Sequence, residues 1–407
     1  METTTFLRYS TVALGLLLAG CAKDMPTDGT PQPAVGAQDS HNANLGTVSV
    51  FATGLNNPRG LKFGPNGYLY VAEGGLGGTH LSTLDACQQV PVPVGPYKGS
   101  PTGGRISRIS PAGVRTTVTD QLPSSQANEI IGGDVEGVAD VAFIGNTLYA
   151  VLAGAGCSHG VPSKPNALVR IGHNGTITMV ADISAYLQTH PVAKPELDDF
   201  EPDGTPYSLI SRQGNLYSVE PNHGELIKIT TGGHISRVAD ISASQGHIVP
   251  TALLPGERGG FIVGNLHPFP IVAGSSSLYK ISRSGQVSVW QTGFTTILGL
   301  AYDHRGRVYV LENTVGAPLP TPNLGRVVRV GPSGQQKIIA TGLSLPTGMT
   351  MGPDGNLYVS NVGFGPASIG GGQVVKISLK HRHGDGDDDD DDDDDSDHHH
   401  DDAILNE

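Results

Sequence analysis

Apolar and polar residues alternate in short runs broken by turn residues, and one such phrase recurs about six times along the chain. Its clearest copies are Pro58-Arg59-Gly60-Leu61-Lys62-Phe63-Gly64-Pro65-Asn66-Gly67-Tyr68-Leu69-Tyr70-Val71 and Pro346-Thr347-Gly348-Met349-Thr350-Met351-Gly352-Pro353-Asp354-Gly355-Asn356-Leu357-Tyr358-Val359. Each reads as a strand, a tight Pro-Asn/Asp-Gly turn and a second strand ending in Leu-Tyr-Val. Degenerate copies begin near Val138, Pro206, Pro250 and Ile297. A third strand with a basic-apolar signature follows each hairpin, as in Ala167-Leu168-Val169-Arg170-Ile171, Val327-Val328-Arg329-Val330 and Val374-Val375-Lys376-Ile377. A Gly turn and a β-branched fourth strand, such as Ile177-Thr178-Met179-Val180, come next. An isolated hairpin cannot bury both of its faces, so the repetition implies stacked sheets.

Four strands per unit, spaced by roughly 45 to 80 residues, predict an all-β chain folded as a six-bladed β-propeller with four-stranded blades. The sixth unit lacks a fourth strand, because the chain turns polar after Lys380. Val48-Ser49-Val50-Phe51-Ala52-Thr53-Gly54-Leu55 reads like Lys337-Ile338-Ile339-Ala340-Thr341-Gly342-Leu343, the fourth strand of the fifth unit. Residues 47–53 are therefore expected to pair beside 373–379, closing the last blade and removing an open edge.

The ends read differently from the body. Residues 1–20 look like a processing signal: Arg8 precedes an apolar run from Val12 to Leu18, and Leu18-Ala19-Gly20-Cys21 matches a bacterial lipobox with Cys21 as the lipidated residue. The competing reading is an ordinary secretory signal that happens to contain a cysteine. The run is too short for a transmembrane helix. Residues 21–44 are Pro-, Gly-, Asp- and Asn-rich, a flexible tether. Residues 45–380 form the propeller, and 381–407 are a low-complexity Asp/His-rich tail expected to be disordered. Together these place the protein in a bacterial cell envelope, as a lipid-anchored periplasmic or outer-membrane protein, with the cell surface also open. Cys87 and Cys157 then remain, both in loops after a second strand of neighbouring blades. In an oxidising compartment they are expected to form a disulfide, the other reading being two free thiols.

Charge narrows the partners. The chain carries a formal net charge of −13, and the tail, with its aspartate run Asp387 to Asp395, accounts for all of it. A near-neutral body gives no case for nucleic-acid binding. The tail's carboxylates and His398-His399-His400 can attract metals weakly, but solubility and disorder explain them as well, since no calcium-loop spacing is present.

In this architecture the connections after strands two and four emerge on one face, and all the long insertions fall there: after Glu73, Leu152, Asn265, Glu312 and Asn361, and at 184–205 and 242–249. That face is the expected binding surface, with Tyr97, His267 and Phe269 as contact residues and an extracytoplasmic protein, small molecule or glycan as ligand. Equivalent positions at the ends of the second strands read Glu73, Leu152, Glu220, Asn265, Glu312 and Asn361. Converging on a central channel, these carboxylates and amides can bind a calcium ion or place an acid/base pair; alternatively they cap strand ends. No Gly-x-Ser-x-Gly elbow, phosphate loop, CxxC pair or HExxH stands in the chain.

Several of these stretches resemble the ScyD/ScyE family of secreted bacterial β-propellers, which is similar to NHL-like and streptogramin-lyase-like proteins. They are Gly54-Leu55-Asn56-Asn57-Pro58-Arg59-Gly60-Leu61, Leu69-Tyr70-Val71-Ala72-Glu73-Gly74-Gly75, Tyr97-Lys98-Gly99-Ser100-Pro101-Thr102-Gly103-Gly104-Arg105-Ile106, Asp140-Val141-Ala142-Phe143 with Leu148-Tyr149-Ala150, and Gly264-Asn265-Leu266-His267-Pro268-Phe269-Pro270. The resemblance spans about residues 46–380 and implies an exported six-bladed propeller without established catalytic residues. The Cys87/Cys157 pair and the acidic tail depart from its usual pattern. The expectation is a non-catalytic, membrane-tethered binding or scaffold module that requires no cofactor. Its rival is a calcium-dependent lactonase- or lyase-type enzyme built on the Glu73/Glu220/Asn265/Glu312/Asn361 ring; a quinone-dependent sugar dehydrogenase fits less well.

Overall fold

The structure, a computed structural model, describes residues 45–379 apart from 79–82, 132, 197–199, 332 and 366–369. The expected lipid anchor at Cys21, the tether and the acidic tail lie outside the described residues. Within them, antiparallel strands assemble into six sheets. Blade 1 contains Pro58–Phe63, Leu69–Glu73, Lys98–Ile109 and Arg115–Gln126, with a short fifth strand, Val135–Glu136, added at its outer edge. Blade 2 spans Val138–Ile144 to Ile177–Asp182, and blade 3 Ser208–Arg212 to Ile235–Asp240. Blade 4 spans Pro250–Pro255 to Val287–Phe294, and blade 5 Ile297–Tyr302 to Gln336–Leu343. Blade 6 has Gly348–Met351, Leu357–Asn361 and Gly372–Ser378, and its fourth strand is Thr47–Leu55. Thr47 faces Ser378 and Thr53 faces Gln373, so the expected N-terminal closure is present. The first strand of each blade touches that of the next, and blade 6 returns to blade 1, which makes the six sheets a propeller.

The burial pattern follows from this stacking. Second strands lie between neighbouring blades, and Leu69–Glu73, Phe261–Asn265, Val308–Glu312 and Leu357–Asn361 are buried at every position. Fourth strands form the rim, and residues 47–50 of the closing strand are exposed. One hydrophobic core lies at each of the six blade–blade contacts. The blade 6–blade 1 core joins Leu55, Tyr358 and Val374 to Leu61, Val71 and Ile109, so the closing strand supplies packing as well as pairing. The Asn/Asp-Gly turns work as the sequence requires: Gly67 and Gly355 take φ of 76° and 72°, which side-chain-bearing residues adopt at a cost.

One element differs in extent. The third strand of blade 1, expected from Arg105, begins at Lys98, because its first residues pair with Ser124–Gln126 beyond the regular sheet. Tyr97 consequently abuts a strand under the loops.

Candidate functional site

The opposite ends of the blades differ in kind. One face has Gly-containing turns; the other carries the long connections, and exposed apolar side chains collect there. Leu76, Leu84 and Val92 project from the first connection and Ile130 from the link to blade 2. Phe269 and Val272 come from blade 4, and Leu319 and Leu324 from blade 5. These are eight of the fourteen large apolar side chains exposed among the described residues, and the other six are spread over rim strands and a turn. Phe269 thus stands where the sequence placed it. His267 is half-buried with its ring Nδ1 3.2 Å from the Pro268 carbonyl oxygen. Tyr97 is not a surface contact: it is buried, 3 % exposed, in a small core with Val90 and Ala127 beneath the loops.

The ring positions Glu73, Glu220, Asn265, Glu312 and Asn361 are all buried, and each is taken up by partners near its own strand. Glu73 accepts hydrogen bonds from the Asn56 amide (2.6 Å), from Ser107 Oγ and from the Arg105 guanidinium, with which it forms an ion pair. Glu312 accepts from the Thr295 amide (2.6 Å) and pairs with Arg326. Asn361 accepts from the Ser344 amide, and Asn265 holds the Ile248 carbonyl and the Ser277 amide. Glu220 accepts from the amides of Thr205, Asn222 and His223. Leu152, at the equivalent place in blade 2, is simply core. These side chains bind the backbone that leads into the first strand of their own blade. They pin each incoming connection rather than converge on an axial ion, because orphaned amides at that crossing need an acceptor where water cannot reach.

The axis itself is nearly filled. The inner strands leave a cavity of about 40 Å³ lined by residues such as Leu61, Asp140, Leu253, Leu298 and Met349, room for water only. Toward the loops, the Tyr207 hydroxyl of blade 3 donates to the Thr347 carbonyl of blade 6 at 2.9 Å, a bond across the ring. Beside it Arg59 donates two bonds to Asp134 (2.9 and 3.0 Å). Burial pushes Asp134 upward against the pull of Arg59 and of the Gly365 amide, which also donates to that carboxylate, while Asp134 and its neighbours more than offset the burial of Arg59.

The densest chemistry lies in the loops above blades 1 to 3. His159 is fully buried, and its Nε2 is 3.2 Å from one oxygen each of Glu136 and Glu201. The Tyr97 ring packs on His159, centroids 4.5 Å apart, and its hydroxyl reaches the second oxygens of Glu136 (3.2 Å) and Glu201 (3.4 Å). On the other side of the imidazole, Nδ1 is 3.3 Å from Ser158 Oγ, which donates to Asp203 at 2.7 Å. Burial opposes charge on His159, but the two carboxylates outweigh it and raise the imidazole to about 10. Burial pushes Glu201 up to about 8 against the pull of His159, and pushes the Tyr97 phenol well above its usual range.

Four connections bring these groups together and are locked to one another. Cys87 and Cys157 form a disulfide between the first and third of them, with Cα atoms 6.2 Å apart and His159 two residues further on. Asn166 Nδ2 donates to the Gly204 carbonyl at 2.6 Å, and His223 Nε2 lies 3.1 Å from the Glu201 carbonyl oxygen. The Lys164 ammonium donates to the Pro101 and Gln121 carbonyls of blade 1.

No protein-family model matches the chain, and no curated protein matches it. Solved structures do match. A protein of unknown function from Bacteroides thetaiotaomicron VPI-5482 aligns over 84% of this chain and 74% of its own, with a TM-score of 0.50 and 10% identity. A glucose dehydrogenase aligns over 82% and 100% (TM-score 0.47, 14% identity), and a streptogramin B lyase over 82% and 98% (TM-score 0.45, 12% identity). The likeness is one of fold. At such identities no residue role passes from these proteins to this chain.

Sequence reading singled out neither Glu136, His159 and Glu201 nor Asp203. They stand in three separate connections with no common spacing, and only the backbone path brings them into contact. The one local signal was Cys157-Ser158-His159, a histidine beside a cysteine already expected to be bridged.

Proposed function

We propose that this protein is an exported, lipid-anchored binding module of the ScyD/ScyE kind, whose loop face captures an extracytoplasmic partner. The observation that supports it is the gathering of exposed apolar side chains on the long connections, which are cross-braced over blades 1 to 3 and joined over blades 4 and 5 by the Ile271 amide donating to the Pro318 carbonyl. Apolar groups held in place ahead of binding lose little entropy on contact, and patches of this kind mark interaction surfaces. The Cys87–Cys157 bridge agrees with an oxidising compartment outside the cytoplasm, and Cys21 is the anchor. A protein partner fits this apolar surface best, with a glycan or other small ligand as the alternative chemistry. The lactonase- or lyase-type reading has less support, because its ring residues are engaged in pinning backbone and the axial cavity admits no organic substrate.

The test pairs Val92→Ser and Phe269→Ser with Val289→Ser, an exposed rim residue. Partner capture from a cell-envelope extract should fall several-fold for the two loop variants and stay intact for the rim variant. Surface changes of this kind move stability by roughly 0.5 kcal/mol or less, so Tm should hold. Capture unchanged in both loop variants would remove the binding-face reading. Cys21→Ala should shift the protein from the membrane to the soluble fraction.

A further inference from the structure

We infer that Glu136, His159 and Glu201 hold a divalent first-row transition ion, zinc being the best fit, as a clamp between the loops over blades 1 to 3. Glu136 Oε2, His159 Nε2 and Glu201 Oε2 lie within 4.8 Å of one another, and none of the three makes a hydrogen bond. His159 is 0 % exposed and Glu201 7 %, so water does not reach those atoms freely. Buried atoms of this kind are rarely left without a partner.

The other side of the ring says which form the imidazole takes. Ser158 gives its hydroxyl proton to Asp203, so its oxygen is left to accept and Nδ1 is the nitrogen that donates. Nε2 is then the nitrogen that faces the two carboxylates, and their charge calls for a cation in that place, either the proton of an imidazolium or a metal ion bound to the Nε2 lone pair. Its second nitrogen is oriented by a serine hydroxyl that is itself bound to a carboxylate, a one-step relay of the outer hydrogen bond that orients histidine metal ligands. Spacing agrees: bonds of roughly 2.0–2.1 Å put tetrahedral ligands roughly 3.3 Å apart, and the observed nitrogen–oxygen separations are both 3.2 Å. Calcium prefers an all-oxygen shell and longer bonds, whereas one imidazole with two carboxylates suits zinc or its neighbours. Three protein ligands leave a fourth position for water, on the side where the Glu136 side chain is 17% exposed. Tyr97 fixes the remaining carboxylate oxygens and so orients both ligands. The site is separate from the apolar side chains of the loop face, and it stands whether or not that face captures a protein.

The acidic tail also attracts metal, so the experiment uses the full mature chain and reads a difference. Chelator-stripped wild type and His159→Gln are dialysed against micromolar Zn²⁺ and, in parallel, Co²⁺. Wild type should retain one more ion per chain than the variant. Cobalt-loaded wild type should show the strong visible bands of a four-coordinate ion, absent from the variant. Zinc at one hundred times its Kd should raise the wild-type Tm by roughly 5 °C. Glu201→Gln provides the same comparison if His159→Gln does not fold. Equal ion counts, or wild type whose cobalt spectrum and Tm do not respond, would show that the cluster is held together by a proton alone and overturn the assignment.

Discussion

Asp140 illustrates how one side chain sets the bore of the ring. At the matching inner-strand positions the other blades carry Gly60, Ser208, Ala252, Gly299 and Gly348, all small. Asp140 leans on Gly60, where a Cβ would come within 1.9 Å of its carboxylate, and accepts from the Leu209 amide of blade 3 at 2.7 Å. Burial raises its pKa to about 6, although Lys62 pulls the other way. The folded state therefore binds this proton more readily than the unfolded chain. Its contribution to stability is fully present below about pH 4 and is lost as pH rises through 6, worth ~3 kcal/mol between the two extremes. Unfolding free energies of the wild type should accordingly gain from this residue between pH 7 and pH 4, and Asp140→Asn should flatten that window. A wild-type profile identical to that of the variant would contradict the shift. Nothing local marks Asp140 for this role in the sequence, where it reads as the polar start of a repeat and of a stretch that carries the family resemblance.

At the scale of strands and connections, the sequence was legible wherever the signal was local. Alternation, Gly turns and the basic-apolar third strand placed all six blades, and the likeness of 48–55 to 337–343 located the closing strand. The second-strand carboxylates were harder, because a Glu at a strand end fits a cation site and a backbone cap equally well. What decides is the amide of Asn56 or Thr295, each seventeen residues upstream and delivered by the previous blade's exit. Tyr97 was misplaced for a related reason: an aromatic residue in a long loop has no periodicity to show that the loop folds over it. The closing strand permits a direct test. Deleting residues 45–55 removes Leu55 and Ala52 from the blade 6–blade 1 core and bares the edge at Gly372–Ser378. The truncated chain should lose its cooperative thermal transition and aggregate. A melt like that of the intact protein would mean that blade 6 stands on three strands.

For the molecule as a whole, the blades and the loop face rest on different kinds of cohesion. Apolar cores hold blade to blade, whereas the face above blades 1 to 3 depends on a disulfide, buried ion pairs and the Glu136/His159/Glu201 cluster. The bridge closes a loop of 70 residues, for which unfolded-chain entropy gives ~4 kcal/mol. Cys87→Ser with Cys157→Ser should lower stability by up to that amount. Hydrogen exchange should quicken mainly in 83–97 and 153–166, with the strands of blades 4 and 5 little changed. Uniform loosening of every blade would show that the bridge braces the ring and not the face.

The pairing of Thr47–Leu55 with Gly372–Ser378 also sets an order of events. The strand made first can reach its place only after the strand made last has left the ribosome. Until then one segment is without a partner and the growing stack has an open side, both prone to pair with other chains. Five blades can gather as they emerge, each against its predecessor, but the circle shuts in a single late step across the longest loop in the chain. A ring sealed in this way gives a half-made chain no finished shape, so the fold is complete only once Gly372–Ser378 has been made.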